Sequence, residues 1–409
     1  MIAVPASSVA QVGVTRFAAD GTAGDGTERD RASIAGTAAV AVTRLDLTDF
    51  RCYRQARIDL DGRPVALAGP NGAGKTNLLE AVSFLAPGRG LRRSKLSEVD
   101  RIGGGPWGMA ATIQTEAGPV AVGTGRDPEG EGRERRVLRI DGTPQRGQAS
   151  LTGIAGVVWL TPQMDRLFLE SAGGRRRFVD RLVFGFDPEH AGRVAAYEHA
   201  LRERGRLLRE RAGDRTWFAG IEEQLASQGV AIAVARRDLA TAIDHAAAEG
   251  VGPFPRPRLA MTGQIEEWLE EMPALAAEDR MRQALAAGRR SDGDSGGAAV
   301  GPHRSDLAVR HALKDMPAEH CSTGEQKALL LAIVLADVRL QTAARGVPPI
   351  LLLDEVAAHL DGERRTHLYD EILALGVQAW LTGTDADLFG PLAEAAQHFR
   401  VVDAIVTPR

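Results

Sequence analysis

Cysteine is almost missing from this chain. Cys52 and Cys321 are the only two in 409 residues, which argues against a disulfide framework and leaves no metal-ligand spacing. Lysine is nearly as scarce: Lys75, Lys95, Lys314 and Lys327 leave arginine as 46 of the 50 basic residues. Arginine suits bidentate phosphate contacts, although so general a bias also follows from genome composition. Each remaining lysine is therefore conspicuous. Aromatic residues are 5%, little material for base-stacking platforms. Long apolar runs are lacking too. The longest, Ala328 to Ala336, has nine residues, against about 20 for a helix that spans a bilayer. The opening MIAVPASSVAQVGV has no basic n-region and no compact apolar h-region, so no secretory leader is expected. A net charge of −4 leaves any polyanion contact to local patches. What remains is 44% hydrophobic and 25% charged, an ordinary soluble composition expected in a reducing cytoplasm.

Along the chain, residues 1–40 show neither helical nor strand period and read as a disordered extension. VTRLDLTDF and RIDLDG alternate as half-buried strands, and PVALAG is a short buried strand ending in glycine. NLLEAVSFLA reads as a helix; WGMAATIQ, PVAVGTG, RRVLRIDG and GVVWLTP read as further strands. From about residue 175 to 290 the spacing is helical, with Val194, Tyr197, Leu201 and Leu208 on one stripe and Trp217, Ile221 and Leu225 on the next. SDGDSGG, residues 291–297, reads as a loop before the strand-like AAVGPHRSDLAV. A helix over 322–343, the strand ILLLD, and the strands VQAWLTG and HFRVVDAIV complete the pattern. This is an α/β nucleotide-binding head interrupted by a helical lid.

Two motifs carry the chemistry. GPNGAGKT, residues 69–76, fits G-x-x-x-x-G-K-[ST] between a strand and a helix. Gly69, Gly72 and Gly74 would let this loop, with Pro70, Asn71 and Ala73 also against the nucleotide, wrap a diphosphate in backbone N–H groups at a helix N-terminus. Lys75 would reach the β/γ-phosphates and Thr76 would hold Mg²⁺. ILLLDEVAAHLD, residues 350–361, supplies the complement: Asp354 as a Walker B ligand of Mg²⁺ and Glu355 as the group that polarises water. CSTGEQ, residues 321–326, opens the oily helix with a capping box from Ser322 to Glu325. The box does not require Gly324.

That capped, glycine-containing helix start shortly before Walker B resembles the signature element of ABC-type ATPases, whose usual form is L-S-G-G-Q. The resemblance implies that Ser322 and Gly324 face a γ-phosphate held by a second subunit. Gly74 to Gly324 is 250 residues, far longer than in transporter ATPase subunits, while the insertion is too short for the long coiled coils of SMC proteins. TRLDLTDFRCYRQ, GRGLRRSKLSEV, GPHRSDL and LLLDEVAAHLDGERRTHL together resemble the RecF family of bacterial recombination mediators. The resemblance runs from about 42 to 405 and implies an ABC-type ATPase head of the P-loop NTPase class, over 41–180 and 298–409. It places a helical lid or arm over 181–297 and Asp361 at a dimer interface. It implies slow ATP hydrolysis with Mg²⁺, an ATP-dependent homodimer on double-stranded DNA at single-strand gaps or junctions, and RecR and RecO as partners. RecA loading and the SOS response would be the outcome.

There are departures. PQMDRLFLESAGGRRRFVD has Gln163 where the family has an acid and Ala172 where it has proline. Gln163 has two readings, a Q-loop ligand near Mg²⁺ or a plain substitution. Thr384 and Asp385 stand where transporter ATPases place a histidine switch. Three arginine clusters could neutralise phosphates: Arg89, Arg92, Arg93 and Lys95; Arg175 to Arg177; and Arg202, Arg204, Arg206, Arg209 and Arg211. The first, beside the nucleotide head, is the candidate DNA contact; the third reads as a solvated helix face. Asp214, Arg215 and Glu222 read as helix surface, and His303 as structural. The rivals are a transporter nucleotide-binding subunit and another P-loop ATPase with no role on DNA.

Overall fold

A computed structural model describes residues 38–128, 134–210, 214–248 and 252–409. Most of the expected 1–40 extension, and Arg211, lie outside the described residues. Ala38 and Val40 lie inside them and are buried, so packed chain begins before residue 41. The chain forms two compact units, one with described residues 38–165, 252–255 and 322–409, the other with 166–248 and 256–321.

The first unit opens with β1 (Ala41–Phe50), β2 (Tyr53–Asp59), β3 (Val65–Ala68) and α1 (Lys75–Ser83). β4 (Gly108–Thr115), β5 (Gly118–Arg126), β6 (Arg136–Ile140), β7 (Thr143–Pro144) and β8 (Val157–Leu160) follow. The second unit holds α2 (Ala172–Val183), α3 (His190–Glu210), α4 (Arg215–Ala248), β9 (Pro257–Thr262) and α5 (Gln264–Glu271). It continues through α6 (Ala274–Ala287), α7 (Arg289–Ser295), β10 (Asp306–His311) and β11 (Met316–Pro317). The chain returns to the first unit with α8 (Thr323–Arg345), β12 (Ile350–Leu353), α9 (Gly362–Ala374), β13 (Ala379–Gly383), β14 (Gln397–Val402) and β15 (Ile405–Pro408).

The first unit contains two sheets. One is antiparallel, in the order β2-β1-β4-β5-β6-β7; its strands alternate, as a sheet with two unlike faces requires. The other runs β15-β14-β3-β13-β12-β8, with β14 through β8 parallel. All four residues of β12 are buried, the unbroken apolar run that a strand covered on both faces needs. A side-chain amide joins the sheets. Gln378 Oε1 accepts Val42 N–H at 2.8 Å and its Nε2 donates to Val42 O at 2.9 Å, so a side chain stands in for a peptide group. α8 is buried from Ala328 through Val338, a stretch apolar on every face except at Asp337 and therefore inside the unit.

The second unit departs from the sequence reading in three ways. β9 interrupts the region expected to be helical and pairs antiparallel with β10; its buried–exposed alternation over PRLAMT is a strand signal. SDGDSGG is helical as far as Ser295, because Asp292 is buried against Arg204 at 2.8 Å and Gly296 ends the helix at φ 83°. The units divide after 165 and after 321, earlier and later than the expected 180 and 297. The reason is that Arg175 on α2 pairs with Asp306 on β10 through two 2.7 Å bonds.

Candidate nucleotide-binding site

The loop after β3 turns on its glycines, each for its own reason. A Cβ on Gly69 would lie 2.0 Å from Val401 O, so the backbone of β14 excludes any larger residue. Gly72 and Gly74 have φ of 79° and 112°, in the left-handed region that favours glycine. A Cβ on Gly74 would also meet Tyr53 Oη at 2.6 Å. Packing against β14 thus requires glycine at 69. Pro70, Asn71 and Gly72 are exposed and Ala73 is buried. Lys75 Nζ donates to Gly69 O at 2.7 Å and Pro70 O at 2.9 Å. Burial lowers its pKa, against the charges of Glu355 and Asp354.

Walker A and Walker B meet directly. Thr76 Oγ1 donates to Asp354 Oδ1 at 2.9 Å, and Thr382 Oγ1 donates to the same oxygen at 2.8 Å. Asp354 is buried, and desolvation raises its pKa despite these two hydroxyls. A buried carboxylate and a threonine hydroxyl within hydrogen-bond distance are hard oxygen donors, and they fit Mg²⁺ held partly by substrate phosphates and water. Glu355 follows with φ 55° and ψ 14°; a left-handed non-glycine residue costs about 1–2 kcal/mol. An open cleft runs past Thr161, Asp165, Lys327, Asp354 and His359. Across it Lys327 Nζ meets Asp165 at 2.8 Å.

The helix start at 322 has the expected capping box. Glu325 N–H donates to Ser322 Oγ at 3.4 Å, and Ser322 N–H donates to Glu325 Oε2 at 3.0 Å. Ser322 and Gly324 are exposed. A Cβ on Gly324 would meet no described heavy atom within 4 Å, so packing within the described chain does not demand glycine there. Gln163 is exposed on the 3₁₀ turn Pro162–Arg166 after β8. Asp361 caps α9 by accepting Arg364 N–H at 2.9 Å.

The arginine clusters separate into distinct roles. Arg92 Nη1 is 2.6 Å from Glu80, a wholly buried carboxylate that also takes two bonds from Arg51, at 2.8 and 2.6 Å. Arg92 is therefore committed to the interior, while Arg89, Arg93 and Lys95 are exposed. Arg176 donates to Ser305 O at 2.7 Å. Arg202, Arg206 and Arg209 of the third cluster are exposed, as a solvated face requires, but Arg204 departs from that reading. It is buried between Glu222 and Asp292 at 3.1 and 2.8 Å, and Glu222 is likewise buried, where surface was expected. His303 is structural as expected, bonded to Tyr197 Oη at 2.7 Å and Ala298 O at 3.0 Å. Sequence reasoning missed Glu80 and Thr382. A lone glutamate in the apolar helix NLLEAV was the available signal for the first; for the second, a threonine in a strand gave none.

A family model described as AAA domain matches residues 44–148. The DNA replication and repair protein RecF of Agrobacterium fabrum is 49% identical over 374 residues, 90% of this chain and 98% of that protein. RecF of Mesorhizobium japonicum is 48% identical over 372 residues, 90% of this chain and 97% of that protein. The solved structure of the recombination mediator protein RecF-ATPrS in the RecFOR pathway is similar at a TM-score of 0.79 and 20% identity, over 91% of this chain and 99% of that one. That likeness establishes the fold as the ABC-type ATPase head expected of the sequence. With nearly half its residues identical to those relatives across nine-tenths of its length, the chain belongs to the RecF family of DNA replication and repair proteins.

Proposed function

We propose that this protein is a slow, dimerisation-dependent ATPase that clamps duplex DNA at single-strand gaps or junctions. ATP joins two copies, hydrolysis parts them, and the bound state supports RecA loading and the SOS response with RecR and RecO as partners. The observation that carries the reading is the 2.9 Å bond from Thr76 to Asp354, which brings the two nucleotide motifs to one point. The relatives' designation as DNA replication and repair proteins, and the ATP named with a solved RecF structure, support it further. Among the described residues no helix is long and apolar enough to cross a membrane, in keeping with a cytoplasmic protein.

In this reading the N–H groups of residues 71–75 cradle the phosphates, and Lys75 exchanges its two carbonyl partners for the β- and γ-oxygens. Thr76 and Asp354 would hold Mg²⁺, which would neutralise charge on the transferring phosphoryl group. Glu355 orients the attacking water from the end of β12. The exposed Ser322 and Gly324 of a second copy close over the γ-phosphate, with Asp361 alongside, which gives Gly324 a reason that packing among the described residues does not supply. Gln163 reaches the same site from the turn after β8. Arg89, Arg93 and Lys95 contact DNA phosphates, with Arg92 supporting them through Glu80. Contacts of this kind are sensitive to salt.

Glu355→Gln tests the reading. Light scattering should show a dimer that accumulates with ATP, and salt-titrated anisotropy should show tighter binding to gapped duplex. A variant that binds ATP yet stays monomeric would count against the clamp. A dimer indifferent to DNA would keep the ATPase and remove its proposed substrate.

A further inference from the structure

Thr382 lies near the end of β13 and is wholly buried. Its strand sits between β3, which leads into the phosphate loop, and β12, which ends at Asp354. Leu381 is opposite Leu353 in the parallel pairing, so Thr382 and Asp354 are the next residues along their strands. A hydroxyl has one proton to give and two lone pairs to receive. Thr382 uses both capacities. Its Oγ1 donates to Asp354 Oδ1 at 2.8 Å and accepts Glu355 N–H at 2.8 Å.

We propose that Thr382 is a positioning residue for ATP hydrolysis. Its single hydroxyl sets the Asp354 carboxylate and pins the Glu355 backbone in the turn that aims the Glu355 side chain. The inference rests on the hydrolytic reading of Asp354 and Glu355 given above. Two features of the geometry carry it. Glu355 has a left-handed backbone, which a non-glycine residue keeps only where its surroundings hold it; the bond to Thr382 anchors the first atom of that residue. Thr76 and Thr382 also converge on one oxygen of Asp354. Rotation of the carboxylate would break both bonds, and a shift of Thr76 during nucleotide binding leaves Thr382 as its remaining hydroxyl partner.

Valine copies the shape of threonine without a donor or an acceptor. Thr382→Val leaves Glu355 N–H without this partner and Asp354 with one hydroxyl fewer. The full-length protein is compared in steady-state hydrolysis and in binding of a fluorescent ATP analogue, as wild type, Thr382→Val, Thr382→Ser and Glu355→Gln. Thr382→Val should lower kcat by about 10–100-fold, the range for partners that orient a metal's ligands, with KM and analogue binding little changed. Thr382→Ser should restore turnover. The proposal is overturned if Thr382→Val keeps kcat, if the serine variant is as slow as the valine one, or if only KM moves. Should the valine variant not melt cooperatively, alanine against serine makes the same comparison of a site without a hydroxyl and one with it. Wild-type turnover that Glu355→Gln abolishes and Thr382→Val leaves intact removes only the role of Thr382. Turnover that survives Glu355→Gln removes the hydrolytic reading beneath it.

Discussion

Arg236 and Asp180 face each other inside the helical unit through two hydrogen bonds, Nε to Oδ1 at 2.7 Å and Nη2 to Oδ2 at 2.8 Å. His190 Nε2 lies 2.8 Å from the same Oδ1. Burial pushes the Asp180 pKa up, but the bonds from His190 and Arg236 and the guanidinium charge bring it below the usual carboxylate value. Removing one member of such a buried pair typically costs about 3–5 kcal/mol, because the other charge is left uncompensated. Asp180→Ala should therefore lower the unfolding free energy of the helical unit, obtained from the urea midpoint and slope, by a comparable amount. A loss under about 1 kcal/mol, the scale of an exposed pair, would contradict this.

His303 should make the same unit sensitive to mild acid. Burial lowers its pKa, with Arg304 and Arg176 acting in the same direction and the bond to Ala298 and the charge of Asp292 opposing. With Nε2–H donating to Ala298 O, the ring accepts the Tyr197 hydroxyl at Nδ1. An unfolded imidazole binds its proton near pH 6.5 and the folded one at lower pH. The stabilisation is thus complete above about pH 6.5 and declines as pH falls from there through the folded pKa. Urea midpoints measured from pH 7.5 to 5 should show that slope, and His303→Asn should flatten it.

The first basic cluster should divide on mutation. Arg92→Ala removes a partner of the buried Glu80 carboxylate and should lower the melting temperature. Arg89→Ala and Lys95→Ala, at exposed positions, should leave melting unchanged. If they meet DNA, each should reduce the slope of log K against log salt by about 1. Equal melting losses in all three variants would show that exposure does not sort the cluster.

Two glycines should respond to alanine in opposite ways. Gly69→Ala puts a methyl group 2.0 Å from Val401 O, and such overpacking costs about 1–3 kcal/mol or more. Gly324→Ala meets nothing in its own described chain, so thermal unfolding should be unchanged while ATP-dependent dimerisation falls. A folding defect at Gly324 would give that glycine an intrachain purpose.

The sequence announces this site where chemistry demands rare spacing, and hides it where a common residue acts through position. GPNGAGKT and ILLLDE are legible because a phosphate loop and a buried parallel strand each constrain several consecutive residues. Thr382 occupies a strand position that many residues fill, and only the strand order β3-β13-β12 brings it to Asp354. Arg204 and Glu222 looked like helix surface because helical spacing cannot show that one buried arginine is paired with two buried acids, Glu222 and Asp292. Asp292, buried against Arg204, likewise turns a loop-like SDGDS into helix. The amide of Gln378 is similarly invisible: its partner Val42 is 336 residues away.

The Asp165–Lys327 ion pair also bears on how such a chain can diversify. The polypeptide leaves the first unit after residue 165 and, apart from residues 252–255, is back in it only at 322. A 2.8 Å contact within that unit therefore sits close to both the departure and the return. Closing a longer loop between fixed ends costs only about 0.6 kcal/mol for each doubling of its length. Outside residues 252–255, which belong to the first unit, a change of length between these points should thus cost the catalytic framework little.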